Sequence, residues 1–440
     1  RRIRSLSLAK ARRAVKPVDQ TAYQAFLLDR QGVGPVGGAR YEGVDGLLRV
    51  IEQLEGVALN ADVWEFSVFP ARIRDYEPGM LDELLASGEV VWVGSKSNGS
   101  NAKDAGAIAF HPADSRLLDG PDGSERDKSP DNAMTVPEAV LAVLDGGGAF
   151  PARQLSSMAK TLWQNHAEIQ VNAETGEIIY PTWSEERFEE ALWSLVWQGK
   201  ITNSSFMPVR SLSRRHGTVR TPRVSARRRM RTRSSIPATL GGLWSAVNPD
   251  GTAGSDESAR PSGAEEYEIE LVESLLDRYG VLAAPLVDKE RIPGGFSGLY
   301  PVLKRMEEHG LLVRGMFVKG FGAAQFASRD TVDVLRDEYG SRRTSCAALD
   351  VTDPAVLTGA ATAWPQRNDS KPTRRAGSII VFSKGSPVMF AMPKSHKIAT
   401  FTDDEPTLRS ACAELAYTLQ RRSGGSVSFA EMNGESLNAH

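Results

Sequence analysis

Three times in this chain an amphipathic helix stops at a glycine and turns at once into a strand, and that recurrence limits the fold more than any other feature. Leu81-Asp-Glu-Leu-Leu-Ala-Ser-Gly88 runs into Glu89–Val93, Phe188–Gln198 passes through Gly199 into Lys200-Ile-Thr, and Leu299–His309 passes through Gly310 into Leu311-Leu-Val. Glycine takes the left-handed position that closes a helix, and the β-branched or aromatic residues after it suit an extended edge. Leu299, Val302, Leu303 and Met306 recur at i, i+3, i+4, i+7, and Phe188, Leu192, Leu195 and Val196 at i, i+4, i+7, i+8, so each helix buries one stripe.

Upstream elements complete a pattern. Thr135-Val-Pro-Glu138 spells a capping box opening a helix over Val136–Leu144, and Leu271, Val272, Leu275, Leu276 and Tyr279 stripe a helix ending at Gly280. Short helices are expected at Pro151–Lys160 and Ala284–Glu290. Helix, short helix, long helix and strand pair is the winged helix-turn-helix plan. In the third copy Gly315–Gly322 and Ala323–Ala327 would form the wing. Its long helix would offer Lys304 and Arg305 to a nucleic-acid groove, and Arg314 and Lys319 would reach phosphate. Such modules also serve purely as packing units.

Polar, turn-rich stretches at Lys96–Gly106, Leu118–Asn132, Asn248–Gly263, Asp337–Ser345 and Pro365–Arg375 divide the chain. The expected domains are residues 1–117, 133–247, 262–340 and 345–440. In the last, Ser378–Ser383 and Pro387–Met392 read as a hairpin, Lys397–Phe401 as a third strand, Glu405–Gln420 as a helix and Ser426–Ala430 as a strand. The fold class is therefore mainly α with α+β: tandem winged helices followed by a β-rich, barrel-like C-terminal domain.

Net charge is only −2, so the charge distribution matters more than its sum. Between Ile201 and Pro249 there is no acidic residue, while Arg214, Arg215, Arg220, Arg223, Arg227, Arg228, Arg229, Arg231 and Arg233 crowd a Ser/Thr-rich stretch. A second basic run (Arg1, Arg2, Arg4, Lys10, Arg12, Arg13, Lys16) starts the chain. Such blocks cannot bury a core; they are solvated linkers or anion-seeking loops. No apolar run approaches the roughly 18 residues of a membrane span. The only cysteines, Cys346 and Cys412, form no CxxC pair, and no signal peptide opens the chain, which fits a cytoplasmic protein. The start at Arg1 and the lack of a terminator after Asn433 suggest a piece of something longer. The six histidines are scattered without HExxH or cysteine partners, so no metal site is expected.

Several longer motifs resemble one family. Gly43–Leu59, Trp64-Glu to Pro70-Ala-Arg-Ile73 and Met80–Gly94 resemble the segment after the ATPase core of Lhr-type (large helicase-related) DNA helicases. Leu144-Asp-Gly-Gly-Gly-Ala-Phe150, Ile292-Pro-Gly-Gly-Phe296 with Tyr300-Pro-Val-Leu303, Gly320-Phe-Gly-Ala-Ala-Gln-Phe-Ala327 and Thr402-Asp-Asp-Glu405 resemble later landmarks of the same family. The resemblance implies a covalently linked N-terminal motor that uses ATP and Mg²⁺ to move on single-stranded or forked DNA. This stretch has no GxxxxGK[ST] loop, so it holds no cofactor of its own and cannot be the motor. The family's C-terminal region is also similar to AlkZ-type DNA glycosylases, whose GLLQ-like helix corresponds to Gly46-Leu-Leu-Arg49, with Arg49 in place of Gln.

Two function classes stand open: a DNA-binding and assembly region of a repair helicase, and a metal-independent glycosylase excising damaged bases. A winged-helix transcription regulator is a third, though dissimilar copies plus an α+β unit suit it poorly. Glycosylase chemistry needs a positioned carboxylate that activates water at a flipped nucleotide. Asp403, Asp404 and Glu405, or Glu52 and Glu55, are candidates, while the first three also suit helix capping. Trp193 and Trp197, i and i+4, read as core. Trp64, Phe66 and Phe69 are expected near the surface, where they could support a homo-oligomer.

Overall fold

A computed structural model describes residues 16–34, 40–96, 106–118, 134–166, 170–171, 178–179, 182–216, 237–247, 260–336, 345–366, 372–423 and 427–437. The chain forms two compact units: one of residues 1–57, 63–77 and 268–440, the other of 58–62 and 78–267.

In the second unit the helix Pro78–Ser87 closes at Gly88 (φ 81°) and runs into strand Val90–Ser95, which pairs antiparallel with Ala107–Pro112. A winged helix follows. The capping box at Thr135 and Glu138 is made in both directions and opens Val136–Asp145. The next helix runs Ala152–His166, longer than the Pro151–Lys160 expected, because no Gly or Pro interrupts it and Leu155, Ala159 and Trp163 continue its buried stripe. Helix Glu185–Trp197, Gly199 (φ 71°) and strand Ile201–Asn203 come next, and Leu243–Ala246 pairs with that strand as the wing's second arm. Trp193 and Trp197 stack at 5.4 Å and Trp193 meets Trp244 edge-on, so these rings are core as read.

The helix Arg260–Tyr279 has residues 260–267 in the second unit and the rest in the first, and it begins inside the stretch read as linker, with Pro261 near its start, where a missing N–H costs nothing. Helices Ala284–Glu290 and Gly295–Glu308 and strands Val281–Leu282, Val313–Gly315 and Gln325–Ala327 complete a winged helix, its sheet ordered 281–282, 325–327, 313–315. The C-terminal region is a mixed six-stranded sheet ordered Cys346–Asp350, Ile379–Ser383, Ser386–Met392, Lys397–Thr400, Glu431–Met432, Glu435–Ser436. Its two edge strands do not pair, so the sheet is open rather than a closed barrel. Alternation sends Cys346, Ala348, Ile379 and Val381 to helix Glu405–Ser423, and Ala347, Leu349, Ile380 and Phe382 to a second core with Leu28 and Val33. The strand expected at Ser426–Ala430 is displaced: Val427–Ala430 is irregular and pairing starts at Glu431, while Ser426 lies outside the described residues.

Trp64 and Phe69 are fully buried and pack on each other at 5.2 Å, with Phe66 half-buried. Trp64 and Phe69 therefore do not lie at the surface expected of them. Close by in the chain lies a fully buried ion pair, in which Arg72 Nη1 and Nη2 donate to the two carboxylate oxygens of Asp353 at 2.9 and 2.8 Å. Gln31 Oε1 and the Val68 carbonyl take further guanidinium protons, and Asp353 also accepts the Ala355 N–H. A buried pair broken on one side leaves an uncompensated charge. Arg72→Met or Asp353→Leu alone should lower stability in urea unfolding by about 3–5 kcal/mol, and the two together by much less. Equal losses in single and double variants would contradict this role.

Candidate nucleic-acid interface

The helix-turn-helix of the first unit is set by backbone geometry. Helix Ala284–Glu290 ends at Arg291 (φ 57°), and Gly294 (φ 76°) opens the recognition helix Gly295–Glu308, which starts earlier than the Leu299 read from its stripe because two glycines hide its first turn. Leu299, Val302 and Leu303 face inward, and Phe296 and Tyr300 pack on Phe326 at 6.3 and 5.8 Å. Ser297, Pro301, Lys304, Arg305 and Glu308 face solvent. The wing is held by one side chain. Buried Gln325 accepts from the Phe317 and Val318 N–H groups at 2.9 and 2.8 Å and donates to the Val318 and Gly322 carbonyls, both at 2.8 Å. All its amide capacity is therefore spent on wing backbone.

The structure brings Lys304, Arg305, Arg314 and Lys319 into this one module. Lys304 lies 3.9 Å from Glu308 one turn on; Arg314 donates to the Tyr300 hydroxyl at 2.7 Å and sits 3.8 Å from Glu307; Lys319 Nζ is 2.7 Å from Asp19. Arg314 is tied down beneath the helix, whereas Lys304 and Lys319 stay more than half exposed. Exposed pairs of this kind contribute about 0–1 kcal/mol, so a phosphate can displace the carboxylate.

The arginine run belongs to the other winged helix. Strands Ile201–Asn203 and Leu243–Ala246 are its wing arms, so residues 204–242 are an insertion in that wing. Arg214 and Arg215 fall on helix Met207–His216, their side chains outside the described residues. Arg220, Arg223, Arg227, Arg228, Arg229, Arg231 and Arg233 also lie outside them. The helix in recognition position here, Glu185–Trp197, exposes Glu185, Glu186, Arg187 and Glu190 in its first half and buries most of its second, so its outward face carries more acid than base.

The carboxylates considered for glycosylase chemistry have structural partners. Asp404 Oδ2 accepts the Thr407 N–H at 3.1 Å, and its hydrogen bonds to Thr407 hold its carboxyl below the usual range. Glu405 pairs with Arg409 at 2.7 Å, Glu52 lies 3.5 Å from Arg49, and Glu55 is buried. Among the described residues no group of three or more His, Cys, Asp or Glu side chains could hold a metal ion, and no helix is long and apolar enough to cross a membrane.

Recognition helix, preceding helix and two-stranded wing define a winged helix-turn-helix protein. Comparison with known proteins narrows this further. Residues 18–113 and 261–346 each match a winged-helix domain of large helicase-related protein. The Escherichia coli Lhr helicase/uracil glycosylase is 36% identical over 96% of this chain and 27% of its own length; the Mycolicibacterium smegmatis Lhr helicase/probable uracil glycosylase is 36% identical over 94% and 26%. The chain thus spans about a quarter of the length of these relatives. The DNA glycosylase AlkZ of Streptomyces sahachiroi shares the fold, with TM-score 0.53 and 14% identity over 95% of this chain and all of that one. The chain is of the Lhr type and corresponds to the C-terminal winged-helix region of that family.

Sequence reasoning missed the buried and half-buried polar groups around this module, because no local periodicity pairs them and their partners lie from 10 to 228 residues away. Arg49, at the GLLQ-like position, clamps Asp277 with bonds of 3.0 and 2.8 Å. Buried Lys289 donates to the Tyr279 hydroxyl at 2.8 Å and the Pro354 carbonyl at 3.0 Å, beside the Arg278–Glu290 pair at 2.8 Å. Burial lowers the Lys289 pKa from 10.5 to about 8, against the opposing pull of Glu290. Between those two values the unfolded chain holds a proton that the folded chain has lost, so this group's contribution to stability rises with pH through that window and is smallest below it. The stability of the parent relative to Lys289→Met should therefore increase from about pH 7.5 to about 9.5. A flat or falling difference in denaturant unfolding would show that Lys289 is not buried as a charge.

Proposed function

We propose that this region grips DNA for an ATP-dependent Lhr-type repair helicase, whose ATP and Mg²⁺ chemistry belongs to a motor elsewhere in the protein. The observation that carries the reading is the outward face of the recognition helix, with Lys304 and Arg305, beside a rigid wing bearing Lys319. The first two turns of that helix, the part such modules set against base edges, expose only Ser297, Gly298 and Pro301, with no long amide or guanidinium to bridge two atoms of a base edge. Contacts of this kind track backbone and suit single-stranded or forked DNA in a cytoplasmic repair setting. The arginine insertion in the other wing would add sequence-independent phosphate contacts. A homo-oligomer would need a surface other than Trp64 and Phe69.

Replacing Arg227, Arg228, Arg229, Arg231 and Arg233 with Ala should weaken binding to all DNA sequences alike and flatten the log–log salt slope by roughly two to four units. Parent-like affinity and slope would make the run a solvated linker and leave Arg214 and Arg215 or the other winged helix as the grip.

A second reading, a metal-independent glycosylase, is favoured by the AlkZ-like fold and by the uracil glycosylase named among the relatives. Against it, Arg49 is engaged by Asp277. Alkali cleavage of uracil-containing duplexes after incubation with the chain tests it; strands left intact would remove this reading.

A further inference from the structure

The wing of the 261–346 winged helix is completed by a segment from the far end of the chain. Val18 pairs in parallel with Val318: its N–H donates to the Phe317 carbonyl at 2.8 Å, and its carbonyl accepts the Lys319 N–H at 2.9 Å. Gln20 Nε2 adds a bond of 3.2 Å to the Lys319 carbonyl. Gly320 turns the chain beside this clasp at φ 82°, a left-handed conformation that L side chains rarely adopt. The clasp delivers Asp19 to the Lys319 ammonium at 2.7 Å.

We infer that Asp19 sets the strength of the phosphate grip on this wing by occupying Lys319 in place of a phosphate. The inference rests on the DNA-binding reading and adds to it a residue that lies far from the recognition helix in sequence. The exposed pair of the recognition helix, Lys304 with Glu308, is internal to one helix. The Asp19 pair instead joins the wing to the segment entering helix Gln20–Arg30, so wing and segment share one backbone ladder and one charge. A phosphate at Lys319 must displace a carboxylate rather than a mobile counterion, and the wing then adds less to the salt dependence than its exposed lysine would suggest.

Asp19→Asn tests this cleanly. Asn serves as well as Asp before a helix, the Asp19 side chain makes no cap bond, and the Val18 ladder is all backbone. Binding of the full chain to a fluorescein-labelled forked duplex is followed by anisotropy across a salt series. Asp19→Asn should bind more tightly at low salt and steepen the log–log slope by about 0.9, one phosphate contact. Lys319→Ala should change the slope little in the parent but remove that gain in the Asp19→Asn background. An unchanged or flatter slope in Asp19→Asn, with the parent still binding and Lys304→Ala/Arg305→Ala still weakened, overturns the role of Asp19 alone. Absence of binding by the parent at low salt overturns the DNA-binding reading and this inference with it.

Discussion

Arg72 and Asp353 meet with no exposure to water, and the rest of the first unit is arranged around that fact. A buried guanidinium is costly unless its protons are taken up, and here the Nη1 and Nη2 protons are taken from three directions, by the Asp353 carboxylate, the Gln31 amide and the Val68 carbonyl, while Nε has no partner among the described residues. Gln31 lies just beyond helix Gln20–Arg30, Val68 in the wide helical turn Trp64–Val68, and Asp353 in the loop after the first strand of the C-terminal sheet. Apolar packing alone tolerates sliding, because hydrophobic contact has no direction. A two-pronged ion pair does not tolerate it. The pair therefore fixes register where the two cores of the C-terminal sheet could otherwise drift.

Local periodicity made much of this architecture legible, because its signals need no distant partner. The helix–glycine–strand joints at Gly88, Gly199 and Gly310 all have positive φ, the capping box at Thr135 closes both ways, and the buried stripes follow the helical period. What sequence could not show is long-range complementarity. Nothing near Pro70-Ala-Arg-Ile73 says that Arg72 will meet an aspartate 281 positions away, and nothing near Lys319 points to Asp19. Trp64 and Phe69 misled for the same reason. An aromatic cluster on a short irregular segment looks exposed until the chain that covers it is known. The first strand of the C-terminal sheet, Cys346–Asp350, escaped notice because burial on both faces removes the alternation that marks a strand.

The candidate interface shows the same division. The helical and wing pattern places Lys304, Arg305, Arg314 and Lys319 in one module, yet their availability differs for reasons visible only in three dimensions. Arg314 is drawn under the helix by Tyr300 and Glu307, while Lys304 and Lys319 stand out with weakly held partners. The motif Gly320-Phe-Gly-Ala-Ala-Gln-Phe-Ala327 gains a physical meaning residue by residue: Gly320 supplies a left-handed turn, Gln325 spends its amide on the wing backbone, and Phe326 packs on the recognition helix.

The C-terminal end of helix Arg260–Tyr279 offers a last consequence. Its final carbonyls are received by side chains from much earlier in the chain: Leu276 and Asp277 by Arg30, Asp277 again by Gln53, Arg278 by Gln31 and Tyr279 by Tyr23. The winged helix that begins in this helix is thus a unit of pattern but not a unit of folding. Excised at the limits of its motif, it would carry an uncapped helix end and the bare apolar bed of Tyr23 and Phe26. Evolution could exchange such a module between proteins only together with the segment that caps it.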